Sequence, residues 1–408
     1  MTNWSVWKEE REYRKLFLAG VVNGVGNRFT QVAALTLLYQ VTGSGAAIGL
    51  LFLIRMIPFL LIAPLGGVLA DKFPKKALLI GIDLCRIPFA LTPLLVNEPG
   101  ELWIIYVSAF LLASGDALYA PTRMSSIPIL VQQEKLLYVN AIEQIMVGVV
   151  LIVGSTAGGM VAYLFGLEIA FSLNALSFLL SAYFLRTITF TKDSHSSIQS
   201  KPPTPKLPSI HWIVSSFAVM TFLMIECTMP LANGIDNVLM SVYALDVFDK
   251  GELGVGLIYG FLGLGFVLSS LLSPFLNKNL LAFIVSFIAL EGVGHLFLSV
   301  APTFSLALLS VLFITFVGGI SNICLSTIMM KVIPKPRQGM FFGLTTMISN
   351  TTLGVTMGIG GLLVEAFGPR MLSSAVGVGY LFFTFIYALA FFKLNLKREK
   401  RTLAKSLR

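Results

Sequence analysis

The chain has 408 residues, of which 56% are hydrophobic and only 12% are charged. That charged share is about half of what soluble domains carry, which excludes a water-soluble globular protein of this length. The formal net charge of +9 does not indicate nucleic-acid binding, because Lys and Arg lie in short gaps between apolar runs and at the two ends.

The apolar runs follow one another along the whole chain, and most reach the length of about 20 residues that a membrane helix needs. They predict an all-α membrane protein with twelve spans, at residues 16–40, 46–70, 77–97, 102–122, 137–164, 168–186, 212–245, 253–276, 280–300, 303–330, 339–366 and 371–392. The seventh run is too long for one straight crossing. It predicts either a kink at Pro230 or an outer end that leaves the membrane.

The positions of Lys and Arg predict the orientation of the spans. One set of connecting segments, with the two termini, holds 24 of the 29 basic residues, whereas the other set holds only Lys250 and Arg370. The positive-inside rule then places both termini in the cytoplasm. The charged stretch from Lys8 to Lys15 leads directly into a full-length span, so no cleavable signal peptide is predicted.

A segment rich in Pro, Ser and Lys, residues 187–210, divides the chain and predicts a flexible cytoplasmic linker. It separates a six-span N-terminal half, residues 1–186, from a six-span C-terminal half, residues 211–393. A basic tail, residues 394–408, follows and is predicted to be cytoplasmic.

The two halves share a glycine pattern. Gly158-Gly159 precedes Phe165-Gly166 by seven residues, and Gly360-Gly361 precedes Phe367-Gly368 by the same seven. The offset between the two copies is about half the chain length. Repeated six-helix halves predict alternating access around a site at their interface.

The connection after the second predicted span reads GGVLADKFPKK at residues 66–76. It resembles the signature G-x-L-a-D-r-x-G-r-k of the major facilitator superfamily, with Pro74 where the second glycine is usual. The matching residues are Gly67, Leu69, Asp71, Lys72, Lys75 and Lys76. The resemblance implies the twelve-helix major facilitator fold. It also implies that Gly67, Asp71, Lys75 and Lys76 form a conformational latch that joins the halves in the outward-facing state.

The fifth predicted span carries Gly154, Gly158 and Gly159, small residues that let another helix approach closely. This stretch resembles the G-P-x-x-G-G element of antiporters in that superfamily, with Ser155 where proline is usual. Ordinary small-residue packing is the alternative interpretation.

Further stretches, at residues 42–44, 120–123, 127–131 and 170–178, are similar to the branch that contains macrolide and enterobactin-type siderophore exporters. That resemblance implies a bacterial plasma membrane and favours export over import. It implies the mode of transport better than it implies the substrate.

Polar side chains inside the spans mark candidates for a substrate cavity. In the resembled family, the first, fourth, seventh and tenth spans line that cavity. The candidates on these spans are Asn23, Asn27, Arg28, Gln31, Tyr119, Asn233 and Asn322. Arg28 would serve either as counter-ion to an acid or as an anchor for an anionic substrate.

Four acids inside or near the spans are candidates for proton coupling: Asp116, Glu143, Glu226 and Asp236. An ionisable group at membrane depth needs a partner or a function, and an apolar surrounding favours the protonated carboxyl group. For Asp116 and Glu143 a structural role, tied to Arg123, is the alternative.

Two further pairs on the spans are interpreted as structural. Asp83 and Arg86 are three residues apart on the third span and are expected to neutralise each other. Glu291 and His295 are four apart on the ninth span and could carry protons. The resemblance places the ninth span at the periphery, which favours the structural interpretation.

The sequence contains no G-x-x-x-x-G-K-[ST], H-E-x-x-H, G-x-S-x-G or C-x-x-C motif. We therefore expect no enzyme activity, cofactor or metal site, and an ion gradient as the energy source. The predicted function is proton-coupled export of an amphipathic, drug-like or siderophore-like small molecule by a monomer in the lipid bilayer. The alternatives are a lipid or lysolipid flippase and a non-transporting membrane scaffold or sensor.

Overall fold

The computed structural model describes residues 3–42, 45–96, 98–190, 216–276 and 279–394, together with 396, 398, 399 and 403. Within these ranges all regular structure is helical, and each predicted span corresponds to one helix or to a series of helices. Most of the predicted linker and tail, and the start of the predicted seventh span, lie outside the described residues.

The N-terminal half begins with a short helix, Asn3–Glu9, and continues with six spans. In chain order, the spans are Arg11–Thr42; Gly45–Leu61 with Ala63–Lys72; Lys75–Leu91 with the 3₁₀ turn Thr92–Leu95; Trp103–Leu130; Leu136–Val149 with the π turn Val150–Gly154 and the helix Ser155–Phe165; and Leu167–Arg186. Short 3₁₀ turns, Pro99–Glu101 and Gln133–Lys135, precede the fourth and fifth spans.

The C-terminal half repeats this order. Its spans, the seventh to the twelfth, are Phe217–Val242 with the π turn Tyr243–Val247; Gly251–Ser269 with the 3₁₀ turn Ser270–Phe275; Leu280–Val300; Phe304–Val332; Gln338–Phe367; and Pro369–Lys393. A 3₁₀ turn, Lys335–Arg337, precedes the eleventh span.

Ten helices of the described residues are long and apolar enough to cross a membrane, and the second span, bent by 42° after Leu61, makes an eleventh. The remaining span, Arg11–Thr42, is 32 residues long. Asn23, Asn27, Arg28 and Gln31 make it more polar than the others. This polarity suits a helix that lines a transport path, because polar side chains at membrane depth need polar surroundings.

Pro230 does not break the seventh span, which runs unbroken from Phe217 to Val242. A proline removes the N–H that would bond to the carbonyl four residues earlier, here that of Glu226. The hydroxyl of Ser349, on the eleventh span, lies 3.1 Å from this carbonyl and shares its one proton between the carbonyl and the Glu226 carboxylate. The neighbouring helix thus satisfies the freed group, as membrane helices require.

A pair of glycines confirms the internal repeat. Gly166 joins the fifth and sixth spans with φ of 91°, and Gly368 joins the eleventh and twelfth with φ of 77°. This left-handed backbone is open to glycine at little cost. The same sharp turn therefore occurs at the same point of each half.

The halves meet along two related pairs of spans. The second span packs on the eleventh, and the fifth packs on the eighth. Shifting each number by six spans turns one pair into the other, so the interface follows the pseudo-symmetry of the repeat. Large apolar side chains cover the lipid-facing surface; on the twelfth span these include Phe382, Phe385, Leu389 and Phe392.

The ninth and twelfth spans approach each other most closely at Gly292 and Gly377. A Cβ added at Gly377 would lie 2.7 Å from the Gly292 carbonyl oxygen, whereas one added at Gly379 would meet nothing within 4 Å. We expect Gly377→Ala to destabilise the fold by about 1–3 kcal/mol through overpacking. The thermal midpoint of the purified protein should fall.

Gly379→Ala is the matched control on the same span. It should leave the midpoint unchanged or raise it, because alanine suits a helix interior better than glycine does. Equal midpoints for the two variants would contradict the close crossing.

Candidate functional site

Asp71 joins the two halves at one end of the bundle. Its carboxylate accepts hydrogen bonds from the backbone N–H groups of Gly339 (2.7 Å) and Met340 (2.8 Å) at the start of the eleventh span. These N–H groups have no partner within their helix, and the helix dipole favours a negative charge there. A Cβ at Gly67 would lie 2.4 Å from the Gly339 carbonyl oxygen, so the crossing requires glycine.

The two lysines expected in the latch contact their own half instead. The ammonium group of Lys75 donates to the Ala70 carbonyl (2.7 Å) and to the Ser125 hydroxyl (2.8 Å). Lys76 donates to the carbonyl of Ile188 at 2.8 Å. Both therefore hold the N-terminal half together around Asp71 rather than reaching the eleventh span.

Further contacts, which no sequence motif predicted, close the Asp71 face. The amide of Asn140, at the start of the fifth span, donates to Thr327 on the tenth span at 3.1 Å. Asn3, in the N-terminal helix, donates to the Ser270 carbonyl of the C-terminal half at 2.7 Å. The same segment is anchored to the N-terminal half, because Glu10 pairs with Lys135 at 2.7 Å.

Asp116 is a partly exposed member of a polar network whose other charged members, Asp83 and Arg86, are buried in the N-terminal half. Its carboxylate pairs with Arg86, and it accepts a hydrogen bond from Asn27 at 3.1 Å. The carboxylate of Asp83 is 3.8 Å from Arg86 and accepts from Asn23 at 2.8 Å. The expected mutual neutralisation of Asp83 and Arg86 is thus incomplete, because the close partner of Arg86 is Asp116, which lies on another span.

Glu143 is bound by Arg123, as the alternative structural role for this acid requires. Its two oxygens lie 2.6 and 3.0 Å from the guanidinium nitrogens of Arg123, and it accepts from the Tyr13 hydroxyl at 2.6 Å. Two parallel bonds from one guanidinium form a strong, directional pair. Tyr119, one turn before Arg123, is also buried in the N-terminal half.

Arg28 reaches no carboxylate within ion-pair distance among the described residues; its guanidinium donates to Gln31 at 3.0 Å. The antiporter-like groove holds the first span at Gly154, which packs on Arg28, and at Gly158, which packs on Phe29. Gly159 faces open space, so its predicted place in the groove is wrong. The side chain of Ser155 lies outside the described residues.

The C-terminal half contains a cavity of about 320 Å³ at mid-depth, within the size range of small-molecule sites. Asn233, Asp236 and Asn322, all predicted candidates, border it. An adjoining cavity of about 210 Å³ is bordered by Glu226, whose carboxylate accepts a hydrogen bond from Ser349. Asp116 borders a smaller cavity of the N-terminal half, together with Arg55. Three of the four candidate acids therefore border a cavity, and the two of the C-terminal half do so without an arginine or lysine among the described residues of the lining.

Glu291 and His295 contradict the peripheral placement expected for them. Glu291 borders the larger cavity, and the Nε2 atom of His295 is 3.2 Å from an Asp236 carboxylate oxygen. The ring of His295 stacks on Tyr380 with centroids 5.2 Å apart, and the Tyr380 hydroxyl donates to Asn233 at 2.6 Å. The i, i+4 spacing of Glu291 and His295 indicated a shared face but not that the face points inward.

The Arg123–Glu143 pair predicts a stability effect. Truncating one partner leaves the other charge buried and unpaired, so Glu143→Ala should cost about 3–5 kcal/mol, measured by denaturant or thermal unfolding of the purified protein. Adding Arg123→Ala should recover part of that loss. Glu134→Ala, at an exposed position of the preceding turn, is the control. A stable Glu143→Ala single variant would contradict this role.

Comparison with known proteins places the fold in a family. A family model described as Major Facilitator Superfamily matches residues 16–355. The human organic anion transporter MFSD10 has a crystal structure that superposes with a TM-score of 0.72, over 93% of this chain and 99% of that chain, at 14% identity. At that identity the likeness supports the fold alone.

Two relatives are named as exporters. The enterobactin exporter EntS of Shigella flexneri is 24% identical over an alignment of 424 positions, which covers 98% of this chain and 96% of the relative. Macrolide efflux protein A of Streptococcus pyogenes is 25% identical over 138 residues, 33% of this chain and about a third (34%) of the relative's length. With the twelve-span fold and the family match across most of its length, the chain belongs to the major facilitator superfamily and is a multi-pass membrane transporter.

Proposed function

We propose that this transporter exports an amphipathic organic molecule from the cytoplasm of a bacterium in exchange for protons. One observation carries the proposal: a mid-depth cavity bordered by carboxylates coexists with closure of the Asp71 face by Asp71 and Asn140. Such a pair of features is what alternating access needs, namely an internal binding site and a closed end on one side of it.

The contacts of the four candidate acids separate them into two structural residues and two candidates for proton coupling. Asp116 and Glu143 are bound by Arg86 and Arg123, and such ion pairs suit a structural role. Glu226 and Asp236 border the cavities and meet no Lys or Arg within ion-pair distance in the described chain. We therefore assign proton coupling to the acids of the C-terminal half.

In the proposed cycle, substrate enters from the cytoplasm when the Asp71 face is open. The Asp71 contacts form again as that face closes, and the cavity then opens to the outside. Protonation of a cavity carboxylate from outside favours release of the substrate, and deprotonation toward the cytoplasm resets the site. The names of the two exporters among the relatives support this direction of transport.

Export is tested by measuring the accumulation of a panel of dyes and macrolides in cells that express the protein, with and without a protonophore. We expect expression to lower accumulation of at least one compound and the protonophore to abolish the difference. An Asp236→Asn variant at equal expression should behave like the empty vector. Efflux that persists with the protonophore would contradict proton coupling.

The same panel separates the rival functions. A lipid flippase would leave the accumulation of every dye and macrolide unchanged while moving a fluorescent lysolipid between leaflets of proteoliposomes. A scaffold would move neither kind of compound. Either result would contradict the proposed export.

The Asp71 latch predicts a shift between conformations. Asp71→Ala removes two charge-assisted hydrogen bonds, which contribute about 1.5–3 kcal/mol each, so the open state of that face should gain population. Spin labels at the exposed positions Glu134 and Lys335, in a cysteine-free background, would report a longer distance between the halves.

Lys72→Ala is the matched control, since Lys72 is the exposed neighbour of Asp71. It should keep the wild-type distance distribution. A distribution for Asp71→Ala that coincides with that of Lys72→Ala would contradict the latch.

A further inference from the structure

The larger cavity of the C-terminal half has an unbalanced charge. Two carboxylates, Asp236 and Glu291, border it, and no Lys or Arg among the described residues does. Carboxylates in an apolar cavity attract a cation more strongly than carboxylates in water. The rest of the wall is largely aliphatic and aromatic, which suits an apolar molecule with one charged group.

Glu291 is the cavity carboxylate that has no basic residue at ion-pair distance. No Lys, Arg or His of the described chain lies within ion-pair distance of it, whereas Asp236 is 3.2 Å from His295. Gly318 on the tenth span makes room for the Glu291 carboxylate, because a Cβ there would lie 2.9 Å from one of its oxygens. A buried carboxylate without a counter-ion needs a cation or a proton from outside the protein.

A second observation points to a ligand at the same place. His295 is fully buried and its Nε2 atom approaches Asp236, but the described structure supplies no hydrogen-bond partner for its Nδ1 atom or for the second oxygen of Asp236, which borders the cavity. Buried polar atoms without partners are rare and costly in folded proteins. Tyr259, Phe266 and Tyr380 border the same space, and aromatic rings can stabilise a cation.

Two arginines of the N-terminal half, Arg28 and Arg55, lie on its spans without a carboxylate at ion-pair distance in the described residues. Neither lines the larger cavity, so the formally charged groups on its wall are the two carboxylates. An anion at the same place would meet two carboxylates.

We infer that this cavity binds the positively charged group of an amphipathic organic cation through Glu291 and Asp236, with His295 as the residue that positions Asp236. The inference rests on the proposed function, for which it names the substrate class. Protons and the cation compete for the same carboxylates, so binding of one displaces the other. This competition is the coupling that an antiporter requires.

The groups that face Glu291 define its pH dependence. They are Asp236 on the seventh span, Tyr259 on the eighth, His295 on its own span and Tyr380 on the twelfth; the tenth span contributes only uncharged side chains. As pH falls, the carboxylates bind protons and lose their attraction for a cation. Cation affinity should therefore fall with falling pH.

The test is equilibrium binding to the purified protein in nanodiscs of zwitterionic lipid, with empty nanodiscs as background. Tetraphenylphosphonium and tetraphenylborate are the probes, because they share size and apolar shape and differ in the sign of their charge. We expect tetraphenylphosphonium to bind at least about tenfold more tightly, and its affinity to fall as pH is lowered.

Three variants test whether Glu291 is responsible for the binding of tetraphenylphosphonium. Glu291→Gln should weaken tetraphenylphosphonium binding about tenfold and flatten its pH dependence, whereas Glu291→Asp should retain most of both. Glu365→Gln, the same change at an exposed position of the eleventh span, should bind like the wild type. Equal melting temperatures will show that the variants are folded.

Two results would overturn the inference: tetraphenylborate binding as tightly as tetraphenylphosphonium, or Glu291→Gln binding like Glu365→Gln. Because equilibrium binding requires no ion gradient, the two proposals fail separately. Cation binding at Glu291 without protonophore-sensitive efflux would refute the proposed export alone. Protonophore-sensitive efflux with a preference for tetraphenylborate would refute the cation site alone.

Discussion

A charge inside a membrane needs a partner, and the two halves of this protein meet that requirement in different ways. The N-terminal half encloses arginines together with acids: Arg86 with Asp116 and Asp83, and Arg123 with Glu143. The described C-terminal spans have no arginine or lysine at comparable depth, and their acids line open space. These N-terminal acids are thus neutralised within their own half, while the C-terminal acids require charge from a proton or a ligand.

This difference arises on a common architecture. In each half, polar side chains connect the first, third and sixth membrane spans. In the N-terminal half, Asn23 bonds to Asp83, which also accepts from Ser181. In the C-terminal half, Asp236 approaches His295, which stacks on Tyr380. The repeat therefore places three helices in a similar arrangement in each half. The side chains determine whether the polar contacts between these helices are structural or border a cavity.

Much of the fold could be predicted from the sequence. Hydrophobic length located each of the twelve spans, and the glycine offset located the repeat that Gly166 and Gly368 confirm. The unbroken helix at Pro230 could not be predicted, because it depends on Ser349, more than 100 residues away in the sequence. The contacts between Asn3 and Ser270 likewise join segments with no pattern in common.

The site was predicted less well, because the sequence does not show which residue of another span each charged side chain will contact. Sequence spacing on one helix suggested that Asp83 would take Arg86, yet an acid from another span is closer to it. Spacing also placed Glu291 and His295 on one face of their helix, but helix periodicity does not show whether that face points to lipid or into the bundle. Asp71 was the exception, since its signature specifies a carboxylate at a helix end, and the structure supplies the helix start of the other half.

The positions of the latch and the cavity suggest how one conformational change can control both. The eleventh span begins at the N–H groups that Asp71 holds, and further along it carries Ser349, which bonds to Glu226. Movement of this helix relative to the second span would therefore break the Asp71 contacts and change the surroundings of a cavity acid together. Energetic coupling between two sites requires an element whose two positions both sites can influence, and the eleventh span meets that requirement.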